Sequence, residues 1–451
     1  MVLLHFMPGD VRSSRLAAAL RCAQFSSEVP DMQISDHLFR REWGRMVAAL
    51  ARLFGVHNLA LAEDVVQEEF CRAMEAWPYR GVPDNPQAWL MSTAKNYALD
   101  VLRRERTAWK FAPELERYLQ SEWTLAPAVE ELLGPQAIKD DLLRMIFSCC
   151  QPQLPVESQI ALILHILCRF GTDEVAAALV AGHSAAEKRI SRGKKALAES
   201  NRLFDVTSSA DFAARLPTVP RALYLLFSEG YHGASKQSVV RSELCREAMR
   251  LAAVLLRHPL GATPASYALA ALMCLNAARL PGRLDASGEL HNLSDQDRSL
   301  WDHELVGEGL KLLASSAAGS VLSEYHIEAA IAAFHSTAAG TGETYWATIA
   351  SLYDVLMSLR PTPVVALNRA IAIAQVERPR RGIEEVDAIA DRERLAAYPF
   401  YYAAIGELQL KRGHYAEARD HFAKAASIAR NLTERSFLES RLRACDGRST
   451  S

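Results

Sequence analysis

Between positions 36 and 55 the apolar residues Leu38, Phe39, Trp43, Met46, Val47, Leu50, Leu53 and Phe54 recur every three or four residues. That stripe predicts an amphipathic helix. The same period predicts a second helix over 59–77 and a third over 85–106. Between them Pro78, Pro83 and Pro86, with Gly81, argue against continued helix. Periodicity fades over 111–137, where Glu114, Glu116, Glu122, Glu130 and Glu131 accumulate, so this stretch reads as an acidic linker. Helical spacing resumes over 138–201, breaks at the polar stretch 205–211, and then persists to about position 444. Nothing sustains strict alternation, so the expected fold class is all-α with essentially no sheet. Five parts follow: an N-terminal extension at 1–35 expected to be disordered, a helical unit at 36–110, the linker at 111–137, a second unit at 138–201, and a long helical region at 205–445.

Composition narrows the class. The chain has 451 residues, 50% hydrophobic and 23% charged, with only 22 Gly and 19 Pro. This excludes a disordered or collagenous chain and leaves enough apolar surface for about three cored domains. The 51 basic and 53 acidic side chains nearly cancel, which argues against a small, uniformly basic nucleic-acid binder but not against segregated charge. None of the 8 cysteines forms a CxxC pair, and most lie in apolar runs, the pattern of reduced core thiols. No apolar run approaches the roughly 20 residues a membrane span needs, and the N-terminus lacks a signal-peptide pattern. The expectation is a soluble, cytoplasmic protein with no membrane partner.

Chemical motifs are scarce. There is no Gly-rich phosphate loop, HExxH, GxSxG or DxDxDG string. His414 and His421 read as surface positions, and Glu63, Asp64, Glu68 and Glu69 have no His or Cys ligand beside them. No catalytic residue, metal site or cofactor is expected.

Two basic segments carry more information. Thr172 or Asp173 can cap a short helix to Leu179, positions 180–183 supply a turn with Gly182, and Ser184 can cap the next helix. In that second helix Ile190 and Leu197, with Ala186 and Gly193, form a buried stripe. Lys188, Arg189, Arg192, Lys194 and Lys195 stand against the one acid Glu187. This is the layout of a helix-turn-helix whose second helix enters the major groove; the alternative is an ordinary solvated basic helix. Upstream, Lys95, Arg103, Arg104, Arg106 and Lys110 share a helix end with Trp89, Asn96 and Tyr97, and Trp77 and Tyr79 border the preceding loop. Cations interleaved with rings suit exposed bases and phosphates, although Trp77 and Trp89 could equally be core. Near the C-terminus, Gly406, Gly413, Tyr415, Ala416, Ala418, Phe422 and Ala425 have the spacing of a tetratricopeptide helix pair. A degenerate copy lies around Asn368, Ala370 and Gly382.

Taken in order, these parts resemble a bacterial RNA polymerase sigma factor of the extracytoplasmic-function (ECF) group. Ala62-Glu63-Asp64-Val65-Val66-Gln67-Glu68-Glu69-Phe70 is similar to one signature of that group. Asn85-Pro86-Gln87-Ala88-Trp89-Leu90, followed by the run from Ala94 to Arg104, is similar to another. Phe227–Tyr231, Asp295–Asp302 and Pro363–Ala370 look like the long extension of a subgroup with a tetratricopeptide-like C-terminal domain. The resemblance spans about 36–442, and Met32 is a second candidate start.

The resemblance implies two partners, core RNA polymerase and promoter DNA. It assigns Glu63, Asp64, Gln67 and Glu68 to the contact with the polymerase. It assigns Trp77, Asn85, Trp89, Lys95, Asn96, Asp100, Arg103 and Arg104 to the −10 element, with the 77–86 loop capturing a flipped base. It assigns Ser184, Glu187, Lys188, Arg189, Arg192 and Lys195 to the −35 element, in a register that the unusual turn at 180–183 leaves open.

In the C-terminal region Glu229, Asp297, Arg298, Trp301, Asn368 and Arg369 are regulatory candidates. Gln296, Asp297, Arg298 and Trp301 could hold a small ligand or a protein partner; the alternative is a salt bridge over a buried ring. Regulation of the sigma module in cis is the expectation for this region. Two other classes fit parts of the chain: a DNA-binding regulator that never joins polymerase, and a scaffold of helical repeats. The near-neutral total conceals segregation, with five cations against two acids over 95–110 and five acids against one cation over 63–75.

Overall fold

The protein is described by a computed structural model over residues 42–52, 55–104, 140–179, 181–199, 209–232, 240–285, 288–338 and 345–446, with backbone alone for 99–104 and 209. The expected N-terminal extension and acidic linker, Val180, and the side chains of Asp100, Arg103 and Arg104 lie outside what is described. Among the described residues there are nineteen α-helices and no strand, only the isolated bridge Leu284–Leu290, so the all-α reading holds.

Helix α1 (42–52) buries Trp43, Met46, Val47 and Leu50, the stripe its spacing predicts. Helix α2 (Leu59–Arg80) runs through Pro78, contrary to the expected stop near Trp77. A proline in the last turn removes a single amide from the ladder, and the helix ends at Gly81, whose φ of 80° suits glycine. Helix α3 (Pro86–Arg104) buries Leu90, Ala94 and Ala98 at four-residue spacing. Trp43 stacks on Phe70 at 6.1 Å and ties α1 to α2.

Four helices follow: α4 (Asp141–Cys149), α5 (Val156–Cys168), α6 (Thr172–Ala178) and α7 (His183–Ala198). Helix α5 is buried almost all round and forms the centre of this unit. Gly193 of α7 lies flat on Leu162 of α5, where a Cβ would come within 3.0 Å of the leucine side chain. Beyond them come α8 (Ser209–Arg215), α9 (Thr218–His232), α10 (Ser242–Arg257), α11 (Pro264–Ala277), α12 (His303–Ser316) and α13 (Glu324–Thr337); α9, α10, α12 and α13 pack around the nearly all-apolar α11, while α8 stacks Phe212 on Phe147 and His258. One continuous apolar core runs from Trp43 to Ala332, so all three units share it. Six buried cysteines lie within the described helices or next to them, while Cys71 is exposed. Burial pushes the thiols of Cys150, Cys168, Cys245 and Cys274 up to about 12, which suits inert core residues.

The rest is a row of helix pairs with small separate cores: α14 (Trp346–Leu359) with α15 (Pro363–Val376), then α16 (Pro379–Asp387), α17 (Pro399–Lys411), α18 (Tyr415–Ser427) and α19 (Leu432–Asp446). Gly406 lets α17 approach α18 so closely that a Cβ would lie 3.0 Å from the Phe422 ring. Ala418 and Ala425 are fully buried beside it. Phe422→Ala should therefore empty the centre of this small core and destabilise the last three helices by about 3–5 kcal/mol. Amide hydrogen exchange should show weakened protection confined to 399–446; uniform protection would contradict this packing.

Candidate functional site

The acidic face of α2 is only partly open. Asp64, Gln67 and Glu68 are exposed, and Glu69 is fully buried against Arg72 at 2.9 Å. Glu63 is engaged differently: both its oxygens accept from Lys194 Nζ, at 2.8 and 3.0 Å. Lys194 is therefore not one of the free cations on α7, which corrects the reading of that helix as offering five.

At the other end of α2 the rings divide. Trp77 is buried and meets Trp89 edge-on at 5.7 Å, so its ring is core and not a surface for bases. Tyr97 lies under the Arg72 guanidinium at 4.5 Å. The exposed ring is Tyr79, 91% accessible on the last turn of α2, with Val82 and Met74 also open nearby. Sequence reading placed Tyr79 at the loop without selecting it. The three extra helical residues beyond Trp77 turn Trp77 inward and Tyr79 outward. Asn85 caps α3, its Oδ1 accepting from Ala88 N–H at 3.1 Å, while remaining solvent-exposed. Along α3, Trp89 and Lys95 are half-buried and Asn96 is exposed.

Helix α6 starts one residue earlier than its expected caps allow. Gly171, not Thr172 or Asp173, precedes it, and Gly171 N–H donates to Glu174 Oε2 at 3.0 Å. Helix α7 likewise begins at His183, with Gly182 before it, so Ser184 lies inside the first turn. His183 Nδ1 and Asp173 Oδ1 approach to 2.6 Å across the turn and join the two helices. The buried stripe of α7 is Ala186, Ile190, Gly193 and Leu197, as its spacing predicts. Ser184, Glu187, Lys188, Arg192 and Lys195 are exposed, and Arg189 is half-buried. The open face of α7 is thus strongly cationic, a surface suited to a polyanion.

In the C-terminal region the six candidates do not converge. Glu229 pairs with the buried Arg241 at 3.6 Å. Asp297 turns to Ser299, accepting from its N–H at 2.9 Å and its hydroxyl at 2.7 Å, and these bonds hold its carboxyl below the usual range. Arg298 lies 4.7 Å over the buried Trp301 ring and donates to the carbonyls of His335 and Ala338, so among the described residues the alternative reading, a salt bridge over that ring, is not seen. Asn368 is exposed. Arg369 is structural: it reaches Asp354 on α14 and Glu385 on α16, each at 2.6 Å.

Contacts between the three units are dense. Arg45 bonds Glu247 at 2.9 Å, Arg52 faces Asp141 at 3.4 Å, and Arg250 bonds Asp140 at 2.5 Å. Arg241 reaches Glu174 at 3.3 Å and covers the Phe170 ring, while Arg169 covers Trp43. Among the described residues no helix is long and apolar enough to cross a membrane, and no group of three or more His, Cys, Asp or Glu could hold a metal ion.

Comparison with known proteins agrees with the layout of α1–α3. Residues 39–108 match sigma-70 region 2, and residues 215–317 match a family of unknown function, DUF6596. The uncharacterized protein R00370 of Rhizobium meliloti strain 1021 is 36% identical over 396 residues, covering 88% of this chain and 92% of its own. No solved structure matches. The chain therefore belongs to one family with the Rhizobium protein, and its match to sigma-70 region 2 supports an RNA polymerase sigma factor.

Proposed function

We propose that the protein is an ECF-group sigma factor in which 36–110 binds core polymerase and the −10 element and 138–201 reads the −35 element. The tetratricopeptide-like region at 205–445 regulates both. The observation that carries this reading is the pairing of sigma-70 region 2 with α7, a helix buried along Ala186, Ile190, Gly193 and Leu197 and cationic on its open face. Lys188, Arg192 and Lys195 are available for phosphates there, and Glu187 for base edges.

Regulation follows from the contact between units. The −10 and −35 elements stand about 85 Å apart along B-form DNA, at about 3.4 Å per base pair. Yet α2 and α7 touch through Glu63 and Lys194 at 2.8 Å. Both elements cannot be read in this arrangement, so it is a closed form. Arg45–Glu247, Arg250–Asp140 and Arg241–Glu174 fasten the two reading units to the 205–445 region. That region accordingly holds the closed state, and activation separates α2 from α7.

The test is binding of purified core polymerase by the full chain and by an Asp64→Lys/Glu68→Lys variant. Both residues are exposed, so the fold should survive. The double variant should bind core at least about ten-fold more weakly; equal binding would remove α2 from the polymerase contact.

A further inference from the structure

Among the described residues, a group of arginines in the DUF6596-matching segment forms no ion pair with a carboxylate. Arg279 follows α11 and Arg283 lies four residues on; they are only 8% and 6% exposed. The Nε–H of each makes no hydrogen bond. Both guanidinium groups turn to one ring, with Arg283 4.0 Å and Arg279 5.9 Å from the centre of Tyr231 at the end of α9. Arg279 also donates to Asn276 Oδ1. Burial alone would raise the Tyr231 phenol, but the two arginine charges outweigh it and hold the phenol below its usual range.

A third arginine closes the group. Arg298 stands over Trp301, whose indole N–H is buried and unpartnered. Gly282, between the first two arginines, packs directly on that indole, and a Cβ there would come within 3.1 Å of Trp301 Nε1. Asp302 N–H bonds the Ala278 carbonyl at 2.9 Å, which fixes the Trp301 segment against the turn carrying Arg279. His335 is pushed down to about 4, by its burial and then by Arg279 and Arg298. His232 is solvent-exposed, yet surrounding protein and then Arg283, Arg279 and Arg430 hold it well below the usual histidine range.

The nearby carboxylates are turned elsewhere. Glu229 pairs with Arg241, Asp297 with Ser299, and Asp302 caps α12 by accepting from Leu305 N–H. Among the described residues no carboxylate forms an ion pair with Arg279, Arg283 or Arg298. Arg279 and Arg283 are buried with no carboxylate among the described residues to balance them, a costly arrangement that an anion bound between them and the half-buried Arg298 would relieve.

We propose that Arg279, Arg283, Arg298 and the Trp301 indole N–H form a binding site for a phosphate group, free or carried on a small molecule. Three guanidinium groups and an indole, contributed by separate turns, offer a three-dimensional donor set. A tetrahedral phosphate uses such a set more fully than a planar carboxylate. The site lies one residue from Gly230, whose carbonyl accepts from Arg241 N–H at 2.7 Å. Arg241 is the residue that reaches Glu174 on α6, so an occupied site is placed to affect that contact. The binding itself does not depend on the sigma-factor reading.

The experiment is thermal unfolding and calorimetry of the full chain with inorganic phosphate, phenyl phosphate, acetate and chloride at matched ionic strength. Phosphate should raise the Tm by about 3 °C or more over chloride and bind at one site per chain. Phenyl phosphate binding more tightly than phosphate assigns an ester, and the reverse assigns the free ion. Arg283→Gln should abolish the shift, while Arg246→Gln, an exposed control, should keep it. The milder Arg283→Lys keeps the charge but loses the fork and should bind at least about five-fold more weakly. Equal shifts with acetate or chloride, or unchanged affinity in Arg283→Lys, would overturn the proposal.

Discussion

Gly44→Val should open the molecule. Gly44 sits on α1 where it crosses the end of α5, and a Cβ there would run into the Leu167 carbonyl. The obstacle is backbone, so no rotamer change relieves it. The neighbouring geometry is equally fixed: Arg169 ends α5 in the left-handed conformation at φ 52° and lays its guanidinium 4.6 Å over Trp43. A branched side chain at position 44 must therefore push α1 away from α5, at a packing cost of about 1–3 kcal/mol. The units keep most of their internal cores, since Trp43–Phe70 and Gly193–Leu162 lie within units. Adding Lys194→Glu sets two carboxylates against each other where the Glu63 pair now stands. Small-angle scattering should show a larger radius of gyration for Gly44→Val, and more so for the double variant. Protease cleavage between the units should accelerate in the same order. A radius unchanged in both variants would mean that the units are not held by these contacts.

The second large effect concerns α7. Reversing Lys188, Arg192 and Lys195 to glutamate removes three exposed cations and leaves the buried stripe intact. Fold stability should change little, because exposed substitutions away from packed features usually do. Affinity for duplex DNA selected from a random pool by the parent chain should fall on the order of 100-fold or more at physiological salt. The slope of log affinity against log salt should shrink by roughly 3 units, about one for each phosphate no longer neutralised. Glu187→Ala should behave differently, relaxing sequence preference with little change in salt slope, since a carboxylate reads bases and not phosphates. Fluorescence anisotropy across a salt series measures all of these. A triple variant with undiminished affinity would show that α7 does not face the DNA.

Local features were legible in the sequence because they repeat at the helical period. The stripe Trp43, Met46, Val47 and Leu50 and the α7 core of Ala186, Ile190, Gly193 and Leu197 follow directly from it. The close approach of Gly406 to Phe422 follows from the small-residue spacing of the last helix pair. What escaped depended on long-range placement. Glu63 and Lys194 are 131 residues apart, and neither carries a mark that it will meet the other. The choice between Trp77 and Tyr79 turned on three residues of helix beyond Trp77, one of them a proline, too small a difference for composition or spacing to decide. Arg369 reads as a polar candidate in the chain but is satisfied on both sides by Asp354 and Glu385. Arg279 and Arg283 look ordinary in sequence; their isolation from carboxylates exists only in three dimensions.

The most direct test of the sigma-factor account is association with core RNA polymerase, measured side by side for the full chain and the Gly44→Val/Lys194→Glu variant. The account predicts that both bind core and that the opened variant binds more tightly, because Glu63 is released to the acidic face of α2. Failure of both proteins to bind core polymerase would contradict it.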